Sequence, residues 1–271
     1  MSRTSHRFDL YGVLKKAVEE EKAVAVATVL SGPPEGNLHA GNKMLIFPDG
    51  RVQGTLGDTD LDRRVNPDAL SLLAREKSKT LSYTLEPGTA VEVYIESILP
   101  RPPLVIFGAD PDAVPIVSLG KQLGFKIILV DHRPNFACKE RYPDADVTLA
   151  FPLEELAQHV RLNEKTFVLV KTHNYLRDKE ILKFVLKSPA RYVGQLGPRA
   201  RMQDLLRDLE KEGFTFTEQD LGRLYAPVGL DIGAESPEQI ALSILAEMLA
   251  IKNGRQGGFL RQQTQAIHPR D

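Results

Sequence analysis

The chain has 271 residues, 42% of them apolar, with 35 basic and 36 acidic side chains; this length suits one large or two ordinary domains, and two are expected. The near-zero net charge gives no general attraction to nucleic acid or to an anionic membrane, and a single cysteine, Cys138, excludes an internal disulfide framework or a cysteine-built metal centre within one chain. The opening residues lack a signal-peptide stretch and no segment approaches the ~20 apolar residues of a membrane span, so a cytoplasmic protein is expected.

In chain order, Leu10, Val13, Leu14, Ala17 and Val18 recur at helical spacing, predicting an amphipathic helix over about residues 8–21. The run AVAVATVL (Ala23 to Leu30) reads as a buried strand, and KMLIF-PDG-RVQGTL as a hairpin turning at Pro48-Asp49-Gly50. Between them lies the Gly/Pro-rich loop SGPPEGNLHAG. After Asp58-Thr59-Asp60 the pattern predicts a helix over about Leu61 to Lys77, interrupted near Pro67, and then TAVEVYIESI as an alternating strand. The stiff LPRPP segment (Leu99 to Pro103) can continue neither a helix nor a central strand, which places a domain boundary there.

Beyond it the rhythm becomes strand, helix, strand, helix. Strands are predicted at PLVIF, KIILV, near Val147, at TFVLV and at RYVGQL; helices are predicted over Asp112 to Leu123, from Leu153, over Lys179 to Leu186 and over about Arg199 to Leu209. Such alternation implies a parallel sheet covered on both faces. In the last helix Ser236 caps, Pro237 suits the first turn, Gln239 completes a capping box, and Gly254 stops the helix. The polar ends, Met1 to Arg7 and about Gly254 to Asp271, read as loosely tied.

In an open parallel sheet, ligands sit outside the carboxyl ends of the strands where the strand order reverses. The first strand of this half ends at Gly108-Ala109-Asp110-Pro111-Asp112-Ala113. Gly108 and Ala113 meet the outer requirements of a dinucleotide fingerprint, but Asp110 stands where the middle glycine lets the backbone approach a pyrophosphate. Two like charges ~4 Å apart repel by ~4 kcal/mol at an effective dielectric of about 20. Three readings stand open: Asp110 caps the next helix, the turn still holds a dinucleotide, or it holds an altered ligand. Asp131 ends the second strand, where a carboxylate receives ribose hydroxyls, with His132 and Arg133 placed for phosphate; the alternative is a polar strand end turning at Pro134. Thr172 and His173 lie on the same rim, and Gly197, Arg199 and Arg201 stand at a helix start that suits anions or as a solvated face. In the front glycine loops Ser31, Thr55 and Thr59 have no evident partner, and no proton-transfer pair emerges. Cys138 reads as an ordinary, partly buried thiol.

Five blocks in order, VEVYIESILPRPPLVIFGA, LGFKIILVDHRPNFACKERYPDAD, VKTHNYLRDKEIL, YVGQLGPRAR and YAPVGLDIGAESPEQIALSILAEMLAIKNG, resemble the xanthine dehydrogenase accessory protein family (XdhC/CoxI); GNKML and the following hairpin resemble its front domain more weakly. The resemblance implies an α/β protein: an N-terminal α+β domain over residues 1–98, a Rossmann-like domain with a parallel sheet over 99–254, and a flexible tail over 255–271. It further implies a chaperone or carrier rather than a catalyst, which binds molybdenum cofactor (molybdopterin) and assists its delivery to an apo molybdenum hydroxylase. A sulfurtransferase partner and a homodimer are implied with it. Three ligand loops depart from the family pattern. Gly57 is kept, but Asp58 and Thr59 replace glycines and Asp60 stands in the place of a cofactor-linked cysteine; Gly108-Ala109-Asp110-Pro111 replaces Gly-Ala-Gly-His; and Gly197-Pro198-Arg199 replaces Gly-Ser-Arg. The resemblance therefore implies a divergent member with altered or lost cofactor contacts. From a different class, an oxidoreductase using NAD(P) at Gly108 and Asp131 is the alternative.

Overall fold

A computed structural model describes residues 9–32, 36–85, 88–262 and 264. The polar start at Met1 to Arg7, part of the Gly/Pro-rich loop and the end of the polar tail lie outside the described residues. The chain divides into two compact units that meet at Arg101 and Pro102.

The first unit contains α1 (Leu10–Glu19), β1 (Val24–Ser31), β2 (Lys43–Ile46), β3 (Val52–Gly54), α2 (Thr59–Ala74), β4 (Lys79–Leu85) and β5 (Thr89–Ile98). Its antiparallel sheet has the order β3-β2-β1-β5-β4. Strand β1 is apolar on both faces because each is covered: Ala25, Ala27 and Val29 join Leu61, Val65 and Ala69 of α2, whereas Val24 and Val26 join Ala17 of α1. The interruption expected at Pro67 does not occur, and α2 runs through it. Pro67 is exposed, so its ring and the hydrogen bond it forfeits face solvent while Leu61, Val65, Ala69 and Leu73 stay packed. Strand β4 is not foreshadowed by the sequence pattern. It is an edge strand with Tyr83 alone buried, and so lacks an apolar signature.

The second unit is an all-parallel six-stranded sheet: β6 (Pro103–Phe107), β7 (Lys126–Asp131), β8 (Val147–Ala150), β9 (Phe167–Val170), β10 (Tyr192–Gln195) and β11 (Leu224–Tyr225). Its order, β11-β10-β9-β6-β7-β8, is that of the Rossmann fold, reversing between β6 and β9. The helices are α3 (Val114–Gln122), α4 (Leu156–His159), α5 (Tyr175–Leu186), α6 (Arg199–Lys211), α7 (Glu218–Leu221) and α8 (Pro237–Lys252). Leu104, Ile106, Ile127 and Leu129 point toward α3 and α8, and Val105, Phe107, Val168 and Val170 toward α5 and α6. This two-sided burial makes the strands continuously apolar. Several boundaries differ from expectation. A 3₁₀ turn at Pro111–Ala113 precedes α3; the helix from Leu153 is a 3₁₀ turn followed by one α-helical turn; and α5 starts at Tyr175 because Asn174 caps Arg177 N–H. The capping box of Ser236 and Gln239 forms as expected. In the tail, a 3₁₀ turn spans Leu260–Gln262.

Candidate functional site

The strand ends at the reversal bring Gly108, Ala109, Asp110, Asp131, Arg133, Thr172 and His173 to one rim. Gly108 has φ +110°, and a Cβ there would lie 2.5 Å from the Lys171 carbonyl oxygen. Close approach of the β9 end, as well as the turn, thus requires glycine.

Asp131 is the centre of the rim. It is 6% exposed and accepts from Ala109 N–H (2.9 Å), Arg133 N–H (3.0 Å), Arg133 Nε (2.8 Å) and Nη2 (2.8 Å), with His132 Nδ1 at 2.9 Å. Burial by itself raises the carboxyl pKa, but the Arg133 guanidinium and the two backbone donors outweigh it and hold Asp131 at about 2. The same guanidinium donates to Asp110 (3.0 Å) and lies 3.7 Å from the Phe136 ring centroid. Asp110 therefore does not cap the helix: its side chain makes no cap hydrogen bond and is turned to Arg133. The bare repulsion that its charge implied is likewise moderated, since a cation sits beside it. The turn nevertheless presents few donors. Gly108 N–H goes to Val130 O, Ala109 N–H to Asp131, Ala113 N–H to Asp110 O, and Pro111 has none.

Two further carboxylates are not singled out by the sequence pattern. Asp112 accepts from the fully buried Lys171 Nζ (2.7 Å) and pairs with His173 Nε2 (3.0 Å). Burial opposes the charge on Asp112, yet Lys171 and then His173 keep its pKa below the usual carboxylate value. A carboxylate 61 residues away in sequence thus reaches His173, a contact that the sequence pattern does not reveal. Asp178, also buried, accepts from Thr172 Oγ1 (2.6 Å), Gln195 Nε2 (3.1 Å) and Arg201 Nη2 (2.8 Å). Thr172 thus orients the start of α5. Gly197 has φ +134° with Arg201 Cδ 3.2 Å from a hypothetical Cβ, and Arg199 is exposed at the first position of α6. The signal that could have found Lys171 and Asp178 was a charge directly after an apolar strand and a charge on an apolar helix face, each of which must be paired if buried.

A small pocket of about 30 Å³ lies at the same edge; Phe107, Val130, Phe151, Leu156 and Ile181 supply apolar walls beside Asp131 and Thr172. Cys138 is partly buried, its Sγ 3.7 Å from Asn135 O.

In the first unit, Gly57 has φ +103°, and a Cβ would collide with Asn37 O, so backbone packing already requires glycine there. Asp58 caps α2 through Leu61 N–H (2.8 Å). Thr55, expected to lack a partner, donates to Asp62 (2.6 Å). Asp60 is ion-paired with Arg63 (2.7 Å) and Arg64 (3.8 Å), and the Arg63 hydrogen bond lowers its pKa. A hard carboxylate already paired with arginines does not fit the soft thiolate contact that a molybdenum dithiolene cofactor favours. Among the described residues, no cluster of three or more His, Cys, Asp or Glu side chains forms a metal site. No helix of the described residues is long and apolar enough to cross a membrane.

Residues 104–248 match the family model described as the XdhC Rossmann domain, and residues 17–84 match that of the XdhC and CoxI family. The chain is 30% identical over 265 residues to the uncharacterized protein YqeB of Escherichia coli (strain K12), covering 94% of this chain and 48% of that protein. It is 35% identical over 158 residues to a probable xanthine dehydrogenase subunit of Bacillus subtilis (strain 168), covering 58% of this chain and 45% of that protein. The chain spans about half the length of these curated relatives. A solved structure titled as a xanthine dehydrogenase from Bacillus halodurans shares the fold, with TM-score 0.54, 22% identity, and coverage of 93% of this chain and 97% of that one. With both family models matched in order along one chain, this protein belongs to the XdhC and CoxI family.

Proposed function

We propose that the protein is an accessory factor of a xanthine dehydrogenase-type molybdenum hydroxylase system, helping to deliver molybdenum cofactor to the apo-enzyme through contacts other than a thiolate. The observation that carries this reading is the ordered match of both units to the XdhC and CoxI family, together with a relative named as a probable component of xanthine dehydrogenase. The altered loops shape the finer reading. Asp60 replaces a soft ligand, and Asp110 and Asp131 both engage the Arg133 guanidinium at the rim, so cofactor contact falls to the remaining surface of the site. A sulfurtransferase partner and a homodimer belong to the same proposal. The test incubates the full chain with molybdenum cofactor and follows co-elution and transfer to an apo-hydroxylase. Failure of both sinks the delivery role.

A second reading, an NAD(P)-binding oxidoreductase, is favoured by the Rossmann strand order with Asp131 at the end of β7. It requires ribose hydroxyls to displace Arg133 from Asp131. Calorimetry with NAD and NADP on the native chain and on Asp110→Gly tests it; tighter binding by the variant supports it, and absence of heat from both removes it.

A further inference from the structure

Asp112 enters from the turn after β6, and Lys171 and His173 from the end of β9, the two strands that flank the reversal of order. The His173 side chain is 53% exposed, its Nε2 lies 3.0 Å from Asp112 Oδ2, and Nδ1 has no partner among the described residues. An ionised carboxylate only accepts, so Nε2 donates to Asp112, and in a neutral ring Nδ1 then presents its lone pair. His173 also holds φ +56°, an uncommon conformation for a residue with a side chain, of the kind concentrated at functional sites. Behind the pair, the ammonium of Lys171 is wholly buried and holds the other oxygen of Asp112, which fixes the carboxylate in position. Asn174 N–H and the Thr172 hydroxyl meet at 3.3 Å and brace the same turn.

We propose that His173 is a general base, oriented by Asp112 and anchored through Lys171, that acts on the weakly acidic O–H or S–H group of a small ligand seated over Gly108. In this step the O–H or S–H bond breaks, its electron pair stays on oxygen or sulfur, and Nδ1 takes the proton. The resulting imidazolium is stabilised by Asp112, whose other oxygen stays paired with Lys171. This role of His173 is independent of the accessory function.

The test uses 4-nitrophenyl acetate and the full chain. Water is the O–H donor: Nδ1 takes its proton as the oxygen bonds to the acetyl carbon, 4-nitrophenolate leaves, and acetate is the second product. His173→Gln is expected to lose at least about a hundredfold of the protein-dependent rate, the lower edge of what a positioned base contributes. Asp112→Asn should lose most of the rate, and Asp112→Glu should recover part of it. His39→Gln should keep the native rate, since His39 is exposed in the loop between β1 and β2 of the first unit. Because Asp112→Asn strands the buried Lys171 charge, a second measurement uses the native protein alone. Diethyl pyrocarbonate should modify His173 faster than His159, as located by peptide mass spectrometry. Native hydrolysis by His173→Gln, or labelling of His173 no faster than of His159, overturns the proposal.

Discussion

Arg133 joins two carboxylates that the sequence places 21 residues apart, and this one side chain changes what the rim can do. Asp131 has a folded pKa of about 2, below its ordinary 3.8, because the guanidinium and backbone donors favour the anion. Its contribution to stability is therefore complete above about pH 4 and is lost as pH falls toward about 2, amounting to roughly 2 kcal/mol by linkage. Asp131→Asn should lower urea stability near neutrality by about that amount, and the gap from the native protein should close on acidification; a gap independent of pH would contradict the assignment. Gly108 makes a steric prediction at the same scale. Alanine there meets both a positive φ and the Lys171 carbonyl, so Gly108→Ala should cost more than about 1 kcal/mol in denaturant titration. From the sequence, Gly108 and Asp131 were legible as strand-end residues. The Asp112–His173 and Asp178–Thr172 pairs were not, because their members come from different loops or elements and meet only once the chain has folded.

At the level of elements, caps and apolar periodicity were readable where local chemistry decides. Ser236 and Gln239 close both halves of the capping box on α8, and Ser236→Ala should cost about 1 kcal/mol, seen as a lowered thermal midpoint. Pro67 illustrates the opposite case. Its local preference is to break a helix, yet four buried residues of α2 on the sheet hold the helix through it. Pro67→Ala should then stabilise the protein by about 1–3 kcal/mol in urea titration, by restoring an N–H donor and helix propensity. No gain in stability would contradict a net cost of proline at this position. Strand β4 went unread for a related reason: KTLSYTL buries Tyr83 alone and is defined by its pairing with β5.

Over the whole molecule, each unit closes its own sheet and core. The parallel sheet of the second unit is covered by α3 and α8 on one face and by α5 and α6 on the other. A fragment of residues 102–262 should accordingly fold alone with a cooperative thermal transition, and a fragment that melts without one would count against this self-sufficiency. The amino-acid sequence by itself determined the parallel α/β half, its strand ends, the final helix and the family, since these follow from short-range periodicity and ordered motifs. Tertiary structure alone decided that Asp110 turns to Arg133 instead of capping a helix, that α2 passes through proline, and that His173 receives a carboxylate. The physical reason is common to all three: each is fixed by a partner distant along the chain, whose position depends on how the sheet and the turns bring strand ends and helix faces together.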